Sequence, residues 1–301
     1  MAVIAMMMTI SASAQFYIYC SDGNVIKVDS ISLVAPEDSA QPDPSAGIGV
    51  FSVSGSKKVI FSPGNLQYTQ STKTWSFAEN QYDYIGTDNV TGRSTASFDE
   101  IYGYSRNGTA LADKIDLFGW STASTYFGVS TSKSNSDYNG SFVDWGKNKI
   151  GNDAPNTWRT LTKDEWDYLL YNRNSANSLR GVAQVNGING LILLPDNWIN
   201  PAGVTFKSGF HGNYGVDYYA AYQTFTIDQW AKLEAAGAAF LPAAGYRIGS
   251  DVDNMQYYGF YWSATENNTD YAGDLRFYSL TDYMYNHNRF YGYSVRLVKD
   301  L

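Results

Sequence analysis

The chain has 301 residues, of which 16% are aromatic and 17% are charged, with a formal net charge of -8 and a sequence pI near 4.7. This length can bury a large core, and the composition excludes disordered and coiled-coil proteins. A nucleic-acid partner would need a basic face, which this acidic chain does not predict. A membrane-spanning helix would need a longer apolar run than any in the sequence. We therefore expect neither.

Cysteine and histidine are scarce. Cys20 is the single cysteine, and His211 and His287 are the two histidines. One cysteine excludes an internal disulfide and any Cys-pair metal or redox site, and two histidines leave little room for a histidine-rich metal centre. The sequence therefore predicts no metal and no cofactor.

Residues 1–14 predict a signal peptide. Their apolar run ends in Ala12-Ser-Ala14, the small-x-small pattern of a signal peptidase site. A short buried helix is the alternative, but the chain becomes β-like from Gln15. We expect an exported protein, at the cell surface or extracellular, without a lipid on Cys20, because bulky residues precede that cysteine.

Residues 15–34 predict a β-hairpin. Two β-rich runs, 16–20 and 25–31, flank Ser21-Asp-Gly-Asn24, and the Asp-Gly pair suits a tight turn. Residues 35–48 predict a linker, since three of the eight prolines lie there. The main domain is expected at 49–301.

The main domain begins with short predicted strands. They cover residues 50–54, 58–62, 66–68 and 74–78, which turn sequences separate. Residues 86–157 are rich in Gly, Ser, Thr, Asn and Asp and hold few apolar anchors. Such a stretch predicts long ordered surface loops or a functional insert.

Two segments predict capped helices. Thr162-Lys-Asp-Glu165 and Thr226-Ile-Asp-Gln229 are capping boxes, followed by apolar stripes that contain Trp166 and Trp230. Residues 190–198, between them, predict a buried strand. Strands and helices in this order, with more strands at the end, predict an α+β layout.

The C-terminal stretch, residues 240–301, predicts a binding surface. Between Asp251 and Tyr293 lie nine of the 25 tyrosines, with five Asn and five Asp. Tyr, Asn, Ser, Asp and Gly are typical of antibody-like binding surfaces. The alternative is that exported β-rich proteins are simply rich in these residues. A binding surface is favoured because short apolar segments frame the run.

The order of these motifs resembles a known family. It is similar to that of C-type-lectin-fold domains of bacterial surface proteins. The motifs are, in order, a capped helix with Trp166, Leu193-Leu-Pro-Asp-Asn-Trp198, a second capped helix, Leu241-Pro-Ala-Ala-Gly-Tyr-Arg247, Tyr261-Trp-Ser263 and Ser294-Val-Arg-Leu-Val298. These include the Fibrobacter major paralogous domain and the variable proteins of diversity-generating retroelements. The resemblance covers 49–301 and implies an α+β C-type-lectin-like domain with two helices, a small, mostly antiparallel sheet and long loops.

In the retroelement subgroup, the resemblance implies hypervariable surface positions near the C-terminus, produced by mutating adenines in Asn-type codons. Trp262, Ser263, Val295, Arg296 and Leu297 would be scaffold. The residues that fit the expected products form the predicted ligand-binding set: Asp251, Asp253, Asn254, Tyr257, Tyr258, Phe260, Asn267, Asn268, Asp270, Tyr271, Tyr283, Tyr285, Asn286, His287, Asn288 and Tyr291.

Two better-known activities of that family lack their motifs here. Formylglycine-generating enzymes need a cysteine pair for copper. Calcium-dependent lectins carry Glu-Pro-Asn or Gln-Pro-Asp followed by Trp-Asn-Asp, whereas Gln41-Pro-Asp43 lies in the linker and no Trp-Asn-Asp follows. Asp251-Val-Asp253 has oxygen ligands for calcium, but acidic loops are more often only solvated.

Catalytic signatures are weak. His211 lies on a Gly-flanked loop and is a candidate base, but a lone loop histidine usually has no role. His287, between two asparagines, fits a contact residue better, and no Gly-rich loop opens a helix as a phosphate site does. Trp166, Trp198, Trp230 and Trp262 are expected in the core. The other four, Trp75, Trp120, Trp145 and Trp158, are also expected there, with exposed sugar-stacking platforms as the alternative. The sequence does not predict an enzyme.

We therefore predict an exported or cell-surface, adhesin-like protein that binds a protein or glycan ligand through its Tyr/Asn/Asp-rich C-terminal face. The alternative is a structural component of a surface assembly, such as a pilus tip or a glycan-capture complex, docked through the N-terminal hairpin. A third hypothesis, an enzyme acting on glycans, requires a converging carboxylate pair.

Overall fold

The computed structural model describes the backbone of residues 16–19 and 25–28, and residues 49–85, 114–249 and 251–301. The predicted signal peptide, the predicted linker and Cys20 lie outside these residues. The chain divides into two compact units, residues 1–44 and 45–301.

The first unit contains two antiparallel strands, β1 (Phe16–Tyr19) and β2 (Val25–Val28). Phe16 pairs with Val28 and Tyr19 with Val25. The strands occupy the two runs from which the sequence predicts a hairpin.

The second unit is mostly β: its described part has 17 strands in five small sheets and three short helices, and is 17% helical. The strands are β3 (Phe51–Ser52), β4 (Lys58–Phe61), β5 (Leu66–Thr69), β6 (Thr74–Phe77), β7 (Lys114–Ile115), β8 (Arg159–Thr160), β9 (Arg180–Val185), β10 (Ile188–Leu193), β11 (Thr224–Phe225), β12 (Ala239–Pro242), β13 (Tyr246–Ile248), β14 (Asp251–Asp253), β15 (Gly259–Glu266), β16 (Tyr271–Tyr278), β17 (Thr281–Asn288), β18 (Tyr291–Gly292) and β19 (Leu297–Asp300). The sheets run in the orders β3-β4-β19-β8, β6-β5-β7, β11-β9-β10-β12, β14-β13-β18 and β15-β16-β17.

The predicted α+β fold, a C-type-lectin-like domain with two helices and one small sheet, is wrong. Most strands have only two to four residues, and they are distributed over five sheets rather than collected in one. The sequence patterns locate such strands one at a time. They do not specify pairings between distant segments, such as Val298 with Phe61, and these pairings determine the architecture.

The three helices are α1 (Lys163–Asp167), α2 (Asp217–Tyr222) and α3 (Ile227–Ala235). Both predicted capping boxes are confirmed: Thr162 Oγ1 accepts from the Glu165 N–H at 3.2 Å, and Glu165 Oε2 accepts from the Thr162 N–H at 2.9 Å. Thr226 and Gln229 repeat the arrangement at the start of α3. A π-helical turn, Tyr168–Asn172, continues α1.

Four apolar clusters form the core of the described part of the second unit, and two of them lie next to the sheet β15-β16-β17. One packs Trp166 and Leu169 against Leu191, Tyr261 and Leu275, which joins α1 and its π-helical turn to β10, β15 and β16. The other is aromatic and contains Trp75, Trp120, Trp145 and Trp262, all buried, as expected for core tryptophans. In the part of the chain that the structure describes, no helix is long and apolar enough to span a bilayer.

Candidate functional site

The candidate site is built on one face of the sheet β15-β16-β17. Directly opposite residues of antiparallel strands share a face, and side chains alternate between faces along each strand. On one face, the side chains of Tyr261, Leu275 and Met284 pack into the core beside α1. The other face carries the rows Phe260–Arg276–Tyr283 and Trp262–Asp274–Tyr285.

A cleft of about 420 Å³ opens beside this face. Its lining residues are Tyr214, Tyr246, Asp253, Asn254, Tyr258, Phe260, Arg276, His287, Tyr291 and Tyr293. Six of them belong to the predicted ligand-binding set: Asp253, Asn254, Tyr258, Phe260, His287 and Tyr291. A slightly larger cleft of about 460 Å³, between Tyr82 and Lys114, contains none of that set.

A tight turn at Asn254 places Tyr258 in the wall of the cleft. Asn254 has φ +58 and Gln256 has φ +65, a region that Asn enters more readily than most residues. The Asn254 carbonyl accepts from the N–H groups of Tyr257 and Tyr258 at 3.2 and 3.1 Å, and Asp253 Oδ1 accepts from the Asn254 N–H at 2.8 Å.

Ring-to-ring contacts fix the aromatic wall. Phe260 stacks on Tyr293 with ring centroids 4.7 Å apart, and Tyr291 stacks on Tyr293 at 5.8 Å. The hydroxyls of Tyr214 and Tyr258 are hydrogen bonded to each other. Burial raises the pKa of the Tyr258 hydroxyl, although the positive charge of Arg276 opposes the rise, so the hydroxyl stays protonated at neutral pH.

Arg276 is the basic residue of the cleft. Its guanidinium carbon lies 4.2 Å from the ring centroid of Tyr258 and 5.5 Å from those of Phe260 and Tyr283, within cation–π range. Its Nε is buried without a hydrogen-bond partner. Of the seven arginines that the structure describes, the other six each form side-chain hydrogen bonds, and Arg276 alone forms neither a well-aligned hydrogen bond nor an ion pair within 4.0 Å.

Asp274 orients His287 at the edge of the cleft. The carboxylate is fully buried, and its two oxygens lie 2.9 and 3.0 Å from His287 Nδ1. Burial raises the pKa of Asp274, and the hydrogen bond to His287 opposes the rise. Since Nδ1 faces the carboxylate, Asp274 fixes the orientation of the imidazole ring, which packs 4.8 Å from the Tyr285 ring.

This Asp–His pair has the form of an oriented general base. However, none of the ten residues that line the cleft is a serine, threonine or cysteine, and Asp253 is the one carboxylate among them. The lining therefore contains no Ser, Thr or Cys nucleophile for this base and no carboxylate pair of the kind that most glycosidases use. Its five tyrosines carry the hydroxyl groups of the cleft.

Four residues of the predicted set lie at the tip of the β15–β16 hairpin: Asn267, Asn268, Asp270 and Tyr271. All four are exposed. Tyr271 and Arg276 are five residues apart on β16, which corresponds to about 16 Å. Asn268 Oδ1 accepts from the N–H groups of Asp270 and Tyr271, both at 2.9 Å, so Asn268 shapes the turn.

The rest of the predicted set adjoins the cleft or supports the fold. Tyr283 and Tyr285 continue the cleft face, whereas Tyr257 is only 1% exposed. Asn286 Oδ1 accepts from Lys163 Nζ at 3.0 Å, and Asn288 Oδ1 accepts from Asn135 Nδ2 at 2.7 Å.

Asp251 forms the start of β14 and is half-buried. His211, the other candidate base, stacks on Tyr218 with ring centroids 4.6 Å apart and does not line the cleft. That the predicted positions vary between copies of the gene stays a prediction.

The sequence patterns missed four lining residues: Tyr214, Tyr246, Arg276 and Tyr293. Arg276 has a signal in retrospect, because the alternating run Asp274-Leu275-Arg276-Phe277 places a charge on the face opposite buried Leu275 and Phe277. Tyr214 has no such signal in the sequence, because it lies in a loop before α2, far in sequence from the C-terminal stretch that forms the rest of the cleft.

A family model described as a domain of unknown function (DUF8237) matches residues 223–298. This segment contains nine of the ten lining residues, and Tyr214 precedes it. Comparisons with curated proteins and with solved structures gave no match.

Proposed function

We propose that this chain is an exported, cell-surface ligand-binding protein, and that the cleft around Arg276 is its binding site. The observation that supports this most strongly is the convergence of six predicted contact residues on one cleft of about 420 Å³. That volume lies within the usual range of small-molecule sites, about 300–1,000 Å³. The small-x-small motif at the end of residues 1–14 supports export.

The cleft is organised before any ligand arrives. Tyr246 packs edge-on against Phe260 and Tyr291, both at 5.6 Å, and its hydroxyl lies 3.3 Å from Asp253 Oδ2. Such rings have little rotamer freedom left to lose, so a ligand that packs on them pays a small entropy cost.

Exposed tyrosines extend the surface beyond the cleft. Tyr285 is 51% exposed, and its ring lies between those of Tyr283, at 6.1 Å, and His287, at 4.8 Å. Amphipathic rings in a row offer apolar area and hydroxyl groups along β17, which suits a ligand longer than the cleft.

The test is a binding screen with matched variants. Wild-type protein and the variants Tyr291→Ala and Tyr285→Ala are applied to glycan and protein arrays, and each hit is then titrated by calorimetry. We expect Tyr291→Ala to weaken binding at least about tenfold, as for a central aromatic contact, and Tyr285→Ala to weaken it less.

Two exposed tyrosines are the controls. Tyr126, which is 58% exposed, has φ +49, so Tyr126→Asn keeps a residue that tolerates this conformation. Tyr271→Ala tests the hairpin tip. Binding that depends on Tyr271 but not on Tyr291 would move the site to the tip, and a hit that Tyr291→Ala leaves unaffected would reject the cleft.

A further inference from the structure

We infer that the ligand of this cleft is a carboxylate-bearing sugar, such as a uronic acid residue of an acidic glycan, whose carboxylate binds the Arg276 guanidinium. The inference rests on the proposed function and specifies its ligand.

The first observation is that no carboxylate of the described residues lies within 4.0 Å of the Arg276 guanidinium, whose contacts are aromatic rings. A guanidinium presents a planar fork of donors that matches a carboxylate with two parallel hydrogen bonds. Asp274, which shares the strand face with Arg276, is within reach of its charge, but both its oxygens face His287 Nδ1. The protein thus places a cation in an aromatic cleft, next to the Tyr258 hydroxyl, with no carboxylate from the described part of the chain in contact with it.

The second observation is an unpaired acceptor in the same cleft. Asn254 Oδ1 is buried without a hydrogen-bond partner, and Asp253 Oδ2 has one long partner, the Tyr246 hydroxyl at 3.3 Å. Both oxygens accept but cannot donate. A ligand that fits this lining must supply hydroxyl or N–H donors as well as an anion.

A sugar acid combines these groups in one compact molecule. Its carboxylate meets Arg276, its hydroxyls donate to the acceptor oxygens of Asp253 and Asn254, and its C–H face can pack on a ring such as Tyr291. An acidic peptide side chain provides the carboxylate, but its nearest donors are single backbone N–H groups, whereas a sugar acid carries several hydroxyl donors on the ring that bears the carboxylate. The composition of the lining therefore favours the sugar.

The experiment compares sugars that differ only in the carboxylate. Methyl β-glucuronide is titrated by calorimetry against the full chain beside methyl β-glucoside, and methyl α-galacturonide beside methyl α-galactoside, with a triglutamate peptide as the peptide probe. We expect binding of at least one acid, and weaker binding of its neutral partner by about tenfold or more, since a charge-assisted hydrogen bond is worth that factor.

Arg276 is then replaced. Arg276→Gln should lower affinity for the acid about tenfold to a hundredfold and leave affinity for the neutral sugar nearly unchanged, whereas Arg276→Lys should retain part of the preference because it keeps the charge but loses the fork. Since Arg276 has no ion-pair partner, its loss should not unfold the protein, which the thermal midpoint checks. Lys149→Gln removes an equal charge from an exposed position and should change nothing.

Four results would overturn the inference. Equal affinity for acid and neutral sugars, or an acid preference that survives Arg276→Gln, removes the role of Arg276 but leaves the cleft as a binding site. Arg276-dependent binding of triglutamate without sugar binding assigns a peptide ligand instead. Finally, the arrays can give a ligand whose binding needs Tyr291 while neither acid gives heat at millimolar concentration. That result keeps the proposed function and rejects the sugar acid as the ligand.

Discussion

Arg276 and Asp116 are both ionisable groups without a contacting opposite charge, but their surroundings differ. Arg276 lines an open cleft and stacks on aromatic rings. Asp116 is buried in the interior, where Oδ2 accepts from the Ile85 N–H at 2.7 Å and Oδ1 has no hydrogen-bond partner. A ligand can reach the first group, whereas the second carries its desolvation cost permanently.

We predict that Asp116 makes the protein less stable as the pH rises. Burial raises its pKa to about 6, although the Ile85 N–H and the charge of Arg247 oppose the rise. Because the folded pKa lies above the unfolded value, the cost is absent below about pH 4, grows between pH 4 and 6, and is complete above that, at about 3 kcal/mol or less. Asp116→Asn should therefore gain stability over wild type as the pH increases.

Urea unfolding of both proteins at pH 4, 5, 6 and 7 measures this difference. Asp116→Asn keeps an acceptor for the Ile85 N–H, so the variant should fold. The control is Asp270→Asn at the exposed hairpin tip, which removes a carboxylate that lies outside the core. If the difference in unfolding free energy between Asp116→Asn and wild type stayed constant from pH 4 to 7, burial of the charged Asp116 carboxylate would not destabilise the protein.

Side-chain composition located the site only in part. The richness in Tyr, Asn and Asp identified Tyr258, His287 and Tyr291 because such residues are typical of binding surfaces. It also selected Tyr257 and Asn286, since composition does not distinguish a side chain that lines the cleft from one that packs elsewhere. Arg276 was overlooked because a single arginine within a strand carries no compositional signal.

Gly259, the first residue of β15, lies between the cleft residues Tyr258 and Phe260 and lets the strand approach β16 closely. A Cβ on Gly259 would lie 2.0 Å from Cζ of the fully buried Phe277 ring. We predict that Gly259→Ala destabilises the protein by about 1–3 kcal/mol, the usual cost of overpacking, and weakens ligand binding because the strand must shift.

Gly55→Ala is the matched control for this variant. A Cβ at Gly55 meets no atom within 4 Å, and the residue is exposed, so its midpoint in thermal unfolding should stay close to that of wild type. If Gly259→Ala were as stable as Gly55→Ala, the close approach of β15 to Phe277 would not matter to the fold.

Helix starts were predictable because their signals are local. A capping box needs only four consecutive residues, so Thr162 and Thr226 identify the first residues of α1 and α3 without reference to the rest of the chain. Strand pairing is different. β19 lies between β4 and β8, and nothing in its own sequence specifies partners more than a hundred residues away.

The same contrast explains why the α+β prediction was wrong. Two clear capping boxes raised the expected share of helix, yet α1 has five residues and α3 has nine. Between them and beyond them, Gly, Ser and Asn interrupt the chain so often that most strands stay short and form several small sheets. Local sequence patterns therefore predict individual helices and strands, whereas the architecture depends on long-range packing that these patterns do not specify.

The division of the chain after Pro44 leads to the last prediction. If residues 45–301 form an independent binding module, a protein lacking residues 1–44 should unfold at the same temperature as the full chain and bind its ligand with the same affinity. The reason is that the cleft and all four core clusters lie within 45–301. Scanning calorimetry and titration measure the two quantities. If the purified protein without residues 1–44 folds but does not bind, or if deletion of residues 15–44 with residues 1–14 kept for export abolishes assembly at the cell surface, the hairpin is the essential contact. The alternative of a surface-assembly component then replaces the free binding module.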